Sequence, residues 1–212
     1  MKTSFSISEE LKKSLQIFKT QAWILVGLLV SFTIVTFTIS IFQPDVQVIS
    51  DIYDVTFLSL FLLSLVLNSV FSLGYIKNAF QAMDGDEPQF SAYGQESRKI
   101  IKYIAVNILS SLIIIIGFAL FILPGIYLAI RLQFVNALIV DENLGVIDSL
   151  KRSWEITQGH EVKLFLVLLV FIGLILLGTI CLGVGIFITI PICVIMQLYI
   201  YRKLNSPINV YL

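Results

Sequence analysis

Arg131 is the residue whose position most needs a chemical reason. It lies in ILPGIYLAIRLQF, residues 122–134, with mostly apolar chain back to Pro124 and forward to Val140. A guanidinium is permanently charged and carries five N–H donors. Within a bilayer such a group is costly and marks a functional site by default, with a partner to be named. Two chemistries fit. In one, Arg131 faces a wet cavity and binds an anion or a lipid phosphate through charge-assisted hydrogen bonds. In the other, it ties the helices together through neutral acceptors. No Asp or Glu falls inside any predicted span, so a buried ion pair in the bilayer core is not expected. The expected acceptors are Asn68 at comparable depth, Asn107 nearer the inner end, and the Phe187 carbonyl that Pro191 leaves without its helical donor. Arg131, Asn68 and Asn107 are therefore the candidate binding residues, and both readings stay open.

Little else in the chain resembles a reaction centre. His160 beside Glu161 reads as an interfacial pair rather than a base. The segment MDGDEP holds Asp84, Asp86 and Glu87 but lacks the remaining positions of a calcium loop, so a solvated turn is expected. Cys181 and Cys193 sit in apolar runs with no metal-ligand spacing and read as small buried side chains. There is no HExxH, no GxSxG and no His/Cys cluster. No catalytic residue, metal or cofactor is expected, and the chain does not read as an enzyme.

The elements that must position Arg131 follow from composition. Of 212 residues, 58% are hydrophobic and 13% charged, against about 25% charged in soluble domains. Mean hydropathy is +0.95. A bilayer core of ~30 Å takes about 20 apolar residues in a helix. Residues 22–42 and 55–76 each supply one span. Two longer runs, Tyr103–Val140 and Leu164–Tyr201, are nearly twice a bilayer's thickness at ~1.5 Å per residue and must fold into hairpins. Pro124-Gly125 breaks the first, giving spans 103–123 and 124–140. Gly183-Val184-Gly185 breaks the second, giving spans 164–182 and 185–201. The fold class is an all-α integral membrane bundle of six transmembrane helices in a single domain, residues 1–212. The first run, long enough to span and without a cleavage signature, reads as a retained helix.

Charge placement agrees with six. Thirteen of the fourteen cations lie before the first span, after the last, or in the connections after spans two and four. The fourteenth is Arg131. The first outer connection carries Asp45, Asp51 and Asp54 instead. The positive-inside rule puts both termini in the cytoplasm. Net charge is zero, so no nucleic-acid partner is expected.

Two short amphipathic helices are expected at the inner surface. In residues 1–21, Ile7, Leu11, Leu15 and Phe18 share one face, lysines and glutamates take the other, and Ser6 with Glu9 has capping-box spacing. In residues 145–158, Ile147, Leu150 and Trp154 share a face, Asp148 and Arg152 are spaced for an ion pair, and Gly159 suits a C-terminal cap. Lys12, Lys13, Lys151, Arg152 and Trp154 are the candidate membrane-surface contacts. Packing beneath the bundle is the alternative for both helices. Trp23, Tyr103, Trp154, Tyr199 and Tyr201 fit an inner aromatic belt. Gly173 and Gly178 suit close helix packing. Gln133 and Asn136 are placed to hydrogen-bond between helices. KNAFQAMDGDE from Lys77 and KRSWEITQGHE from Lys151 align faintly, hinting at duplicated two-helix units.

The stretch from Leu123 to Phe165 resembles a family of six-helix bacterial and archaeal membrane proteins. The same module forms the membrane domain of some glycerophosphoryl diester phosphodiesterases. The matching marks are Pro124-Gly125, Arg131, Asp141-Glu142, Gly145, SLKRSW with Ser153, and Gly159, together with GYIKNAFQAMDGDEPQF after the second span. The resemblance covers roughly residues 55–203. It implies a six-helix membrane fold and no activity, since stand-alone members have no assigned function. The soluble phosphodiesterase domain has no room here, and there is one histidine. The expectation is a non-catalytic protein of the bacterial cytoplasmic (inner) membrane with a lipid- or partner-binding, accessory role. Its partners would be membrane lipids, with a protein partner or homodimer beside them. The alternative is a small transporter or channel for an anionic solute or lipid, using Arg131 in a mid-membrane polar cavity.

Overall fold

A computed structural model describes residues 6–41, 55–180 and 183–206. The acidic first connection, Cys181 and the last six residues lie outside the described residues. Among the described residues the fold is all-helical: α1 Ile7–Ile41, α2 Val55–Asp84, α3 Ser91–Glu96, α4 Ile100–Leu120, α5 Ile122–Leu132, α6 Val135–Glu142, α7 Val146–Thr157, α8 Glu161–Ile180 and α9 Ile186–Asn205. Six stretches are long and apolar enough to cross a membrane, with α5 and α6 counting as one. This is a multi-pass membrane protein.

Several boundaries depart from the sequence expectation. The amphipathic segment and the first span form one helix, α1, because no proline or turn signal separates them. Its polar face is not simply solvated. Glu10 is 1% exposed and accepts from the Lys203 ammonium at 2.8 Å, joining the start of α1 to the end of α9. Glu9 pairs with Lys13 at 3.3 Å. Helix α2 runs to Asp84, so the segment after Lys77 is helix rather than loop. It ends where Gly85 takes φ +86, a conformation that costs glycine least. Gly159 has φ +81 at the equivalent point after α7. The faint repeat therefore shares its helix endings but not its elements.

The turn between α4 and α5 is one extended residue, Phe121, and not Pro124-Gly125. Pro124 sits in the first turn of α5, where its missing N–H has no helical partner to lose. Gly125 lies against the Phe118 ring and the backbone of Gly117, where a Cβ would not fit. The break at residues 183–185 is where the sequence places it. There, Gly178 and Gly185 bring α8 and α9 into backbone contact.

A Cβ on Gly185 would stand 2.8 Å from the Gly178 Cα and carbonyl oxygen, both backbone atoms that cannot swing away. Gly185→Ala should therefore destabilise by about 1–3 kcal/mol. Gly173, expected to serve the same purpose, has nothing within 4 Å of its Cβ position. Gly173→Ala should be neutral, or stabilising by up to about 1 kcal/mol through helix propensity. Thermal unfolding in detergent would separate the two. Equal midpoints would deny that the α8–α9 contact is tight.

The core is centred on α6 and α9. Val135, Ala137, Leu138, Ile139 and Val140 of α6 are all buried, as are Ile195, Met196, Ile200 and Tyr201 of α9. The outward faces of α1, α2, α4 and α8 expose large apolar residues such as Trp23, Phe61, Ile115 and Leu177. That is the pattern a hydrocarbon environment covers.

Candidate functional site

The path of the fourth span sets the site. The sequence predicts one helix over 124–140. The structure breaks it at Gln133–Phe134 into α5 and α6. Such a break strands polar backbone groups that lipid cannot satisfy. Here other elements satisfy them. The Ser153 hydroxyl of α7 donates to the Arg131 carbonyl at 2.7 Å and accepts from the Phe134 N–H at 3.3 Å. The Gln197 amide of α9 donates to the Gln133 carbonyl at 2.9 Å. The turn at Asn143, with φ 53, then folds α7 back along α6.

That reversal decides the partners of Arg131, which is 4% exposed. Its Nε donates to the Tyr127 hydroxyl at 3.0 Å, one turn back toward the helix N-terminus, where helical side chains lean. Its Nη1 donates to the Trp154 carbonyl at 3.1 Å and the Thr157 hydroxyl at 3.4 Å. Glu161, the first residue of α8, places a carboxylate oxygen 3.3 Å from the same Nη1. The guanidinium carbon lies 4.4 Å from the Trp154 ring centroid and 5.3 Å from that of Tyr127. The two rings meet edge-on. A cation so flanked gains roughly 0.5–2 kcal/mol from the rings alone.

The sequence expectation for Arg131 is thus corrected. Its partners are not Asn68, Asn107 or the Phe187 carbonyl. Apart from Tyr127 one turn back on α5, they come from α7 and the start of α8, which only the fold-back of α7 brings near. An ion pair is present after all, because Glu161 stands at a helix start rather than within a span's interior. Glu161 also accepts from the Gly159 N–H at 3.0 Å.

Asn68 and Asn107 meet elsewhere. Both line a cavity of about 180 Å³ between α2 and α4, with Ser72 and Tyr103. The Asn68 amide donates to the Ser64 carbonyl. Asn107 and Asn136 exchange reciprocal amide hydrogen bonds at 3.1 and 3.3 Å, joining α4 to α6. Ser72 and Tyr103 also border a larger cavity of about 290 Å³, which Gln133, Asn136, Gln197 and Tyr75 help to line. Leu29, Phe71, Ile76, Ile190, Val194 and Leu198 complete its mainly apolar wall. The two cavities lie side by side in a cleft among α2, α4, α6 and α9, with Leu29 of α1 on its wall; they share Ser72 and Tyr103, and among the described residues no charged residue lines either. Arg131 lines neither cavity.

The surface candidates divide. Lys12, Lys13 and Lys151 are exposed. Arg152 bonds Asn205 at 3.1 Å and Glu155 at 3.3 Å, not Asp148. Asp148 instead turns back toward Gly145 at the helix start, where a carboxylate suits the N-terminal dipole. Trp154 belongs to the Arg131 cluster as well as to the surface. At the end of α2, Asp84 forms a two-pronged ion pair with Arg202. Among the described residues no group of three or more His, Cys, Asp or Glu is placed to hold a metal.

Sequence reasoning singled out Gln133 and Asn136, and marked Ser153 only as part of the family resemblance, but not Ser72, Tyr75 or Gln197. Gln197 carried the same signal as Asn68, a lone amide in an apolar run. Ser72 carried none, since a helical serine usually bonds its own backbone.

A domain of unknown function, DUF7847, matches residues 98–207, just over half of the chain. An uncharacterized protein of Mycobacterium tuberculosis, Rv2560, is 28% identical over 150 residues, covering 71% of this chain and 45% of its own. An uncharacterized protein of Mycobacterium bovis, Mb2590, is 33% identical over 91 residues, covering 43% and 28%. The chain thus spans less than half the length of the curated relatives it matches. No solved structure matches it.

Proposed function

This chain belongs to the DUF7847 family, and from that premise we propose that it is a non-catalytic membrane protein that binds a lipid in the cleft among α2, α4, α6 and α9. The observation that carries the reading is the broken fourth span. Its interruption turns Gln133 and Asn136 toward a cavity that Gln197 and Tyr103 also border. Interrupted helices beside a polar cavity are how membrane proteins build binding sites within apolar surroundings. A mostly apolar wall with a few convergent polar groups suits an amphiphile. Arg131 serves in this reading as the strut that holds α5, α7 and α8 around the break.

The proposal includes a bacterial cytoplasmic membrane with both termini inside. The exposed Lys12, Lys13 and Lys151 would then face an anionic leaflet. A kinship with the membrane domains of glycerophosphoryl diester phosphodiesterases is part of the same proposal. It would make this chain a lipid-handling accessory rather than a hydrolase.

Native mass spectrometry of the detergent-purified protein tests the reading. Wild type should retain a lipid adduct that Val194→Phe, which fills the cavity, loses while still unfolding cooperatively. Wild type carrying no specific adduct would overturn the proposal. The same spectra report whether a second copy of the chain or a protein partner is bound.

A further inference from the structure

The cleft's polar atoms state what kind of head group it accepts. Each glutamine has its N–H end committed to a carbonyl, Gln133 to Ile130 at 3.0 Å and Gln197 to Gln133 at 2.9 Å. A carbonyl takes only a donor, so the orientation of both amides is fixed. Each leaves its Oε1 without a donor among the described residues. Ser72 differs from its neighbours in α2. Ser64 and Ser69 donate back to the carbonyls of Phe61 and Leu65 at 2.8 Å, while Ser72 makes no such bond. The Tyr103 hydroxyl has no protein partner among the described residues either. Tyr75, 5% exposed and on the same wall, has a hydroxyl with no hydrogen-bond partner among the described residues. The cleft therefore offers two fixed acceptors and hydroxyls that can donate or accept, and no charge.

Charged head groups fit this poorly. No Lys, Arg, Asp or Glu lines either cavity. A phosphate or an ammonium entering it would exchange water for neutral partners, and burying an unpaired charge is strongly unfavourable. A hydroxyl-bearing uncharged group supplies the donors that both Oε1 atoms need. The larger cavity has the room of about ten water molecules at ~30 Å³ each. That suits a three-carbon polyol with the first carbons of its chains. Resting on the lipid-binding reading above, we propose that the cleft selects an uncharged glyceride head group, with diacylglycerol as its simplest member. Recognition runs through Ser72, Tyr103, Gln133 and Gln197.

Binding of dioleoylglycerol to the full chain in detergent, followed by native mass spectrometry, tests this against dioleoylphosphatidylglycerol, dioleoylphosphatidylethanolamine and free glycerol. Ser72→Ala and Tyr103→Phe remove hydroxyls that hold nothing in the protein, so both should fold normally. Each should weaken diacylglycerol binding about 3–10-fold, the loss of one uncharged hydrogen bond. Free glycerol should not compete, because the apolar wall is left unfilled. Tighter binding of either phospholipid, lost in Val194→Phe, would overturn the head-group assignment and leave the cleft as a lipid site. Glycerol competing as well as the glyceride would make the site one for a free polyol. Diacylglycerol binding unchanged in both hydroxyl variants and in Val194→Phe would remove the cleft reading itself.

Discussion

Arg131→Leu should lower the midpoint of thermal unfolding in detergent by about 6–12 °C. Removing one partner of a buried charged cluster costs about 3 kcal/mol at the lower end of the usual range. For a chain of this size about 2–4 °C accompany each kcal/mol. The lower end applies because Glu161, with 31% of its side chain exposed, is partly solvated and keeps its bond to Gly159. The loss is shared among the Tyr127 hydroxyl, the Trp154 carbonyl, the Thr157 hydroxyl and two ring faces. Glu161→Gln should cost far less, about 1 kcal/mol or under, since a partly exposed ion pair contributes little. Arg131→Lys should fall between them. Lysine keeps the charge but loses the planar fork that reaches Tyr127 and Trp154 together. In the folded fraction of Arg131→Leu, the lipid adduct should persist, because Arg131 lines neither cavity. An unshifted midpoint together with a lost anionic adduct would instead make Arg131 a binding residue. The strut reading would then fall.

The six spans are legible in the sequence because apolar runs of that length have few other solutions. The hairpin at residues 183–185 is legible because glycine marks it. The break at Gln133–Phe134 is not, since it contains neither proline nor glycine. Ser153 and Gln197, twenty and sixty-four residues along the chain, make it tolerable, and their proximity is a tertiary fact. The partners of Arg131 fail for a related reason. Limiting them to residues inside predicted spans excluded Glu161 at a helix start, and nothing local says that α7 folds back along α6. The continuity of α1 was within reach, because a change from polar to apolar residues is not a helix terminator. Asn107, Asn136 and Gln133 were visible as amides in apolar runs. That they converge with Ser72 and Gln197 on one cleft depends on how α2, α6 and α9 pack. Polar outliers in a membrane sequence thus show which residues matter, while packing decides which of them meet.

Two serines on α7 isolate what the break requires. Ser149 and Ser153 are both fully buried. Ser149 donates to the Gly145 carbonyl at 2.8 Å, which already accepts from the Ser149 N–H at 2.9 Å. Its hydroxyl adds a second bond to a satisfied group, so Ser149→Ala should cost under about 1 kcal/mol. Ser153 holds both sides of the α5–α6 break, the Arg131 carbonyl and the Phe134 N–H. Ser153→Ala strands a buried acceptor and a buried donor at about 1–1.5 kcal/mol each, the low end of the usual cost. Water cannot stand in for them in an apolar surround. The midpoint should fall by about 4–12 °C for a loss of about 2–3 kcal/mol, against a few degrees for Ser149→Ala. Hydrogen–deuterium exchange localises the effect. Amides from Ile130 to Leu138 should exchange faster in Ser153→Ala and at the wild-type rate in Ser149→Ala. Gln133 and Asn136 lie within that stretch, so the cleft should lose affinity in step with it. Equal stability and equal exchange in the two variants would mean that α7 does not hold the break. The fourth span would then have to owe its shape to Gln197 and the packing of α6 alone.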